Sequence, residues 1–195
     1  MSEAIAIRDG DALVVVDVQH DFLPGGSLAV PAGDQVIAPL VRCIDLFHQR
    51  GQPIYATRDW HPADHCSFQD RGGPWPPHCV QGTEGAEIAP ALNLPSSTML
   101  VSKASTPDKD AYSGFDGTPL DAQLKMYGIK RLFVGGLATD YCVLNTVRDG
   151  LRLGYQVYLL TDAIRAVNVN PDDGDKAIAE MLALGARPIG SADLA

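Results

Sequence analysis

A chain of 195 residues with a formal charge of −9 and no long polar or low-complexity tract fits one α/β domain, residues 1–195, large enough to bury its own core. The acidic balance and the absence of any basic cluster exclude a nucleic-acid backbone or an anionic membrane surface as partner, because both would be repelled. A small neutral or cationic ligand is expected instead. No basic stretch precedes a long apolar run, and residues 13–16 are too short for a signal core or a membrane span, so the expected location is the cytoplasm.

In chain order, short apolar runs that suit strands buried on both faces occur at 12–16, 53–57, 98–101, 132–134 and 156–160, with a weaker sixth at 187–189. Between them lie segments of helical spacing: 34–50, with Val36, Ile37, Leu40, Val41, Ile44 and Phe47 on one face, then 119–127, 140–153 and 171–184. Strand followed by helix, repeated, predicts a three-layer α/β/α architecture with a six-stranded, mainly parallel, doubly wound sheet. Two stretches interrupt the pattern, 59–95 and 103–117, both rich in Pro, Gly and aromatic residues. Long loops inside a compact domain usually carry function.

Ligands of an open parallel sheet sit outside the carboxyl ends of the strands. Asp17 ends the first apolar run, Lys103 follows the third, and Cys142 follows the fourth at the start of a helix, so all belong to one rim. An aspartate at a strand end is also a common turn former, and Asp17 or Lys103 alone would carry little weight. Cys142 follows Gly135 and Gly136, which free the backbone after a strand, and Thr139 or Asp140 can cap the helix beyond. A thiol in a first helical turn, beside unpaired N–H groups and near an ammonium, is expected to have a lowered pKa. Asp17 could then take the thiol proton and pass it to a leaving amine, and the backbone N–H groups of Ala138 and Cys142 could face a developing oxyanion, at about 3 kcal/mol per donor. The other cysteines, Cys43, Cys66 and Cys79, form no CxxC pair and read as free thiols in a reducing compartment, Cys43 as a small buried apolar residue.

Asp59, His61 and His78 offer oxygen and imidazole donors suited to a divalent metal. Asp59 and His61, two apart, share a face of an extended segment, and His78 must return from the proline-rich loop. The alternative is that these are surface histidines. His20 and His48 read as a rim loop residue and a solvent-facing helix residue.

As a set, Val16-Asp17-Val18-Gln19-His20-Asp21-Phe22, Arg58-Asp59-Trp60-His61-Pro62, Trp75-Pro76-Pro77-His78-Cys79, Tyr112-Ser113-Gly114-Phe115 and Gly136-Leu137-Ala138-Thr139-Asp140-Tyr141-Cys142 resemble the isochorismatase-like hydrolases, in particular the nicotinamidases and pyrazinamidases among them. The resemblance runs from about Ala12 to the C-terminus. It implies a catalytic triad of Asp17, Lys103 and Cys142, a thioester intermediate, and release of ammonia from a nicotinamide-like substrate. It also implies a cis bond before the oxyanion-hole residue Ala138, one divalent ion (Zn first, Fe or Mn otherwise) on Asp59, His61 and His78, and Phe22, Trp75 and Tyr112 around a flat ring. His65 is an additional ligand in some relatives and stands here as optional. Trp75 and Tyr112 have a plainer reading as anchors of their loops. One departure is Ala104, where many relatives have glycine.

Two rivals follow from the same residues. An amidase for a carbamoyl or ureido compound would keep Asp17, Lys103 and Cys142 but has no use for the metal ligands, and a vinyl-ether-cleaving member would lack the cysteine. A non-catalytic metal- or thiol-sensing module would bind without turnover. The sequence leaves the oligomeric state open, a homo-oligomer included.

Overall fold

The computed structural model describes residues 4–195. Six strands form one sheet: β1 (Asp11–Val16), β2 (Ile54–Asp59), β3 (Met99–Lys103), β4 (Arg131–Leu137), β5 (Gln156–Arg165) and β6 (Arg187–Ile189). Their order is β3-β2-β1-β4-β5-β6 and every pairing is parallel. Central β1 is buried along its whole length, as a run of Ala12, Leu13 and three valines requires.

Side-chain alternation along β1 divides the core. Leu13 and Val15 face α1 (Ile37–Gln49), whose Leu40, Cys43, Ile44 and Phe47 recur at helical spacing. Ala12, Val14 and Val16 face the other layer, built from α2 (Leu120–Met126), α3 (Leu144–Arg152) and α4 (Asp173–Ala183), through Leu120, Leu124, Val147 and Met181. The sheet is thus covered on both faces. Among the described residues no helix is long and apolar enough to cross a membrane.

Chain order reverses between β1 and β4, which places a crevice at the carboxyl ends of these two strands. Three strands run further toward that rim than apolar character alone indicates. β2 reaches Asp59, β3 ends on Lys103 itself, and β4 continues through Gly135 and Gly136 to Leu137. Gly136 pairs with Val16 at φ +127°, and a Cβ there would lie 2.1 Å from the Val16 carbonyl oxygen. Only glycine lets β4 lie against β1 in that conformation.

Candidate active site

Asp17 leaves β1 in a left-handed conformation, φ +48°, which turns its carboxylate back under the crevice. Thr57 on β2 donates to Asp17 Oδ1 at 2.7 Å, and Lys103 Nζ lies 2.8 Å from Asp17 Oδ2. The same ammonium reaches Asp59 Oδ1 at 2.5 Å, Cys142 Sγ at 3.3 Å and the Ala111 carbonyl at 3.3 Å. Acid, amine and thiol expected from the sequence therefore meet at one point. Lys103 is 1% exposed and Asp17 fully buried, so these charges interact in a setting of low polarity.

Burial opposes the charge on each group, and the neighbours decide the outcome. For Lys103, burial is overridden by Asp17 and Asp59, and its pKa stands well above the usual lysine value. For Asp59, burial is likewise outweighed by Lys103 and His61, and its pKa is lowered. For Asp17, burial wins over Lys103, with repulsion from Asp59 adding to it, so its carboxyl binds a proton more readily than an ordinary aspartate. That is the property of a base that must take a proton and give it back.

The setting of Cys142 differs from the sequence expectation. Its turn, Thr139–Val143, is π-helical rather than the first turn of an α-helix, and α3 begins only at Leu144. Burial pushes the thiol well above its ordinary pKa. Lys103 pulls it down, but Asp17 and Asp59 push it up again. A lone ammonium already faces two carboxylates, so the resting sulfur keeps its proton, directed at Asp17. The Leu137–Ala138 peptide is cis, as the resemblance implied, and the Ala138 carbonyl accepts from the Tyr141 and Val143 N–H groups at 3.1 Å each.

Asp59, His61 and His78 each bring one ligand atom to a common point, all within 4.8 Å of one another and all buried. His61 Nδ1 pairs with the His78 carbonyl at 2.9 Å, and His78 Nδ1 with the Pro76 carbonyl at 2.8 Å. A backbone carbonyl can only accept, so each Nδ1 carries the proton and each Nε2 is left bare. Burial pushes the pKa of His61 down to about 4, which keeps its ring neutral at ordinary pH. One carboxylate and two imidazoles, each oriented through its Nδ1, form a donor set that fits a divalent metal. His65 differs: Nδ1 is engaged by Ser67 at 2.7 Å and Nε2 by the Lys109 carbonyl at 3.1 Å, and its ring stacks on His61 at 4.2 Å. It thus packs against His61, and with His61 and Asp110 it also forms a second group of possible donors whose ligand atoms lie within 4.8 Å of one another.

A small cavity opens on Cys142 and Asp59, lined by Phe22, Trp75, His78, Tyr112 and Ala138. Trp75 Nε1 donates to the Tyr112 hydroxyl at 3.1 Å, which ties the two loops together over the opening. Trp75 and Tyr112 thus line the cavity and at the same time anchor their loops to each other. Tyr141, Leu28, Val30 and Val167 also line the cavity. The last three come from irregular segments, where periodicity carries no signal, whereas Tyr141 adjoins the cysteine. Ala104, where relatives carry glycine, has φ +51°, the left-handed conformation that glycine adopts freely. Lys103 is in place despite it. His48 is exposed, His20 opens a short turn ahead of Phe22, and Cys43 is buried against α1's side of the core. All four cysteines are free.

Comparison with known proteins finds relatives over nearly the whole chain. The isochorismatase domain model matches residues 11–193. The nicotinamidase of Escherichia coli (strain K12) is 42% identical over 196 residues, covering 90% of this chain and 92% of its own. Pyrazinamidase of Pyrococcus horikoshii, solved in complex with zinc, superposes with a TM-score of 0.89 at 48% identity, covering 93% of this chain and 99% of its own. The PnC1 protein of L. infantum, solved in complex with nicotinate, superposes with a TM-score of 0.88 at 36% identity and 98% coverage of both chains. On fold, on the residues gathered at the switch point and on these matches, the chain belongs to the isochorismatase family.

Proposed function

We propose that the chain hydrolyses the carboxamide of nicotinamide, and of pyrazinamide, to the carboxylic acid and ammonia, with Cys142 as nucleophile. The observation that carries this reading is the position of Lys103 Nζ, in contact at once with Asp17, Asp59 and Cys142 beneath an aromatic-walled cavity. Activity of the E. coli and P. horikoshii relatives toward these amides supports it.

In the reaction, Cys142 Sγ bonds to the carboxamide carbon while Asp17 takes the thiol proton. Lys103 stays an ammonium and holds the charge balance as the proton moves between sulfur and carboxylate. Backbone N–H groups of Ala138 and Cys142 face the oxygen as it becomes an oxyanion. Collapse breaks the C–N bond, and Asp17 returns its proton to the departing amine, which leaves as ammonia. Water, deprotonated by Asp17, then attacks the thioester. The acid departs and the thiol is restored.

Asp59, His61 and His78 would hold one divalent ion, zinc first among Zn, Fe and Mn, and that ion would bind the ring nitrogen and so fix the carboxamide over the sulfur. Phe22, Trp75 and Tyr112 wall in the ring and exclude water around it. Free thiols at all four cysteines suit a reducing compartment, and we assign the enzyme to the cytoplasm. A carbamoyl or ureido substrate would be served by the same triad but would leave the buried metal donors without a purpose.

Ammonia release measured on a panel of nicotinamide, pyrazinamide and a ureido compound tests the assignment. Fastest turnover on the two aromatic amides, lost in Asp17→Ala and Lys103→Ala, is expected. Preference for the ureido compound would transfer the chain to the rival reading.

A further inference from the structure

The segment that carries Asp17 also builds the frame around the metal donors. Gln19 is fully buried, and its carboxamide accepts from the Asp59 N–H at 2.8 Å and donates to the Asp59 carbonyl at 2.8 Å and the Ala86 carbonyl at 2.9 Å. Pairing both main-chain groups of one residue is what a neighbouring strand does. The Gln19 side chain thus continues the β1–β2 ladder past its last pair, Val16 with Thr57, and fixes the peptide from which the Asp59 carboxylate projects.

Two residues on, the Asp21 carboxylate accepts from the Cys79 N–H at 2.7 Å and the Ser27 N–H at 3.3 Å. Cys79 follows His78 directly and has φ +48°, so its amide is held in a conformation that a non-glycine residue rarely adopts unaided. The Cys79 carbonyl in turn accepts from the His61 N–H at 3.0 Å. Gly85 packs against the same carboxylate, where a Cβ would lie 2.2 Å from Asp21 Oδ2. One side chain therefore secures the strand end that bears Asp59, and the other secures the loop that bears His78 and steadies His61.

We propose that Gln19 and Asp21 are positioning residues that set the affinity of the Asp59–His61–His78 site for a divalent cation and hold that site in fixed register with Asp17. This rests on the proposed metal site. Neither side chain offers a ligand atom to that site, and neither touches the reacting atoms. Their effect runs through the backbone of the donors.

The test is titration of the metal-free chain with Zn²⁺ by calorimetry and with Co²⁺ by its visible absorption, alongside thermal unfolding of the metal-free proteins. Gln19→Met keeps the length and shape of the side chain but removes every hydrogen bond, Asp21→Ala removes the acceptor, and Asp21→Asn retains it. Affinity is expected to fall about 10- to 100-fold in Gln19→Met and Asp21→Ala and to recover most of that loss in Asp21→Asn. Phe47→Leu, in the core against Phe133, should lower the unfolding temperature and leave the affinity unchanged. Because Asp21 is half-buried, its pair of variants decides the matter should Gln19→Met not fold. Equal affinity in Asp21→Ala and the unsubstituted chain would overturn the inference. Failure of the unsubstituted chain itself to bind either ion would instead refute the metal site on which it rests.

Discussion

Lys103 Nζ and Asp59 Oδ1 lie 2.5 Å apart, closer than any other contact the ammonium makes. A residue proposed for the catalytic triad is thereby joined to a residue proposed as a metal ligand. The amine that would balance the thiol chemistry and the carboxylate that would grip the ion form one buried cluster, so neither half can be altered alone.

Replacing Lys103 by Met leaves the buried carboxylates of Asp17 and Asp59 without a counter-ion, and a loss of roughly 3–5 kcal/mol in unfolding free energy is expected at neutral pH. The pH dependence has a definite sign. Without the ammonium, burial and mutual repulsion raise both carboxyl pKa values above those of the unfolded chain, so the folded state binds more protons and its stability falls as pH rises. Urea unfolding of the metal-free variant should therefore show a deficit that narrows as pH drops toward about 4. An equal deficit at every pH would point to lost packing alone.

Chelation followed by dialysis should impair nicotinamide turnover, and added Zn²⁺, Fe²⁺ or Mn²⁺ should restore it. With a ring-binding ion gone, the loss is expected mainly in KM at first and then in kcat, because a wrongly seated carboxamide reacts slowly once bound. Steady-state kinetics with elemental analysis of the same sample checks this. Full activity in protein shown to be metal-free would remove the ion from the reaction.

Ala104→Gly should leave turnover unchanged and stabilise the chain by up to about 1 kcal/mol, because relief of a left-handed alanine exceeds the added freedom of the unfolded glycine. Chemical denaturation reads the difference. A loss of stability would show that the Ala104 side chain, which is buried, packs more usefully than its backbone is strained.

Trp75→Ala should raise KM for nicotinamide about 10-fold or more, from lost ring contact and a loosened Tyr112. Tyr112→Phe keeps the ring but loses the acceptor for Trp75 Nε1 and should raise KM only a few-fold, consistent with about 1 kcal/mol for one hydrogen bond. Similar effects of the two substitutions would mean that the hydrogen bond rather than the indole face matters.

Periodicity was sufficient for the sheet and its four principal helices, because β1 and α1 have the uniform and amphipathic patterns that burial demands. Strand ends were less legible. Asp59 and Lys103 are charged and Gly135 and Gly136 lack apolar side chains, so a hydrophobic reading stops before the residues proposed to deliver the chemistry. Asp17, Lys103 and Cys142 could be placed on one rim from the order of the elements, yet their contact through a single ammonium depends on strand register. The thiol environment ran against expectation, since sequence shows a nearby lysine but not that two carboxylates share it. Gln19 and Asp21 read only as part of a motif until their partners, 40 and 58 positions away, were in view. Leu28, Val30 and Val167 reach the cavity from irregular backbone, for which periodicity says nothing.

The central claim is that Cys142 carries the acyl group, and acid-quenched turnover of nicotinamide followed by mass spectrometry of the digested chain tests it most directly. A nicotinoyl adduct on the peptide containing Cys142, absent from the Cys142→Ala protein together with all ammonia release, is the predicted result. Ammonia release at the unsubstituted rate from Cys142→Ala would contradict it.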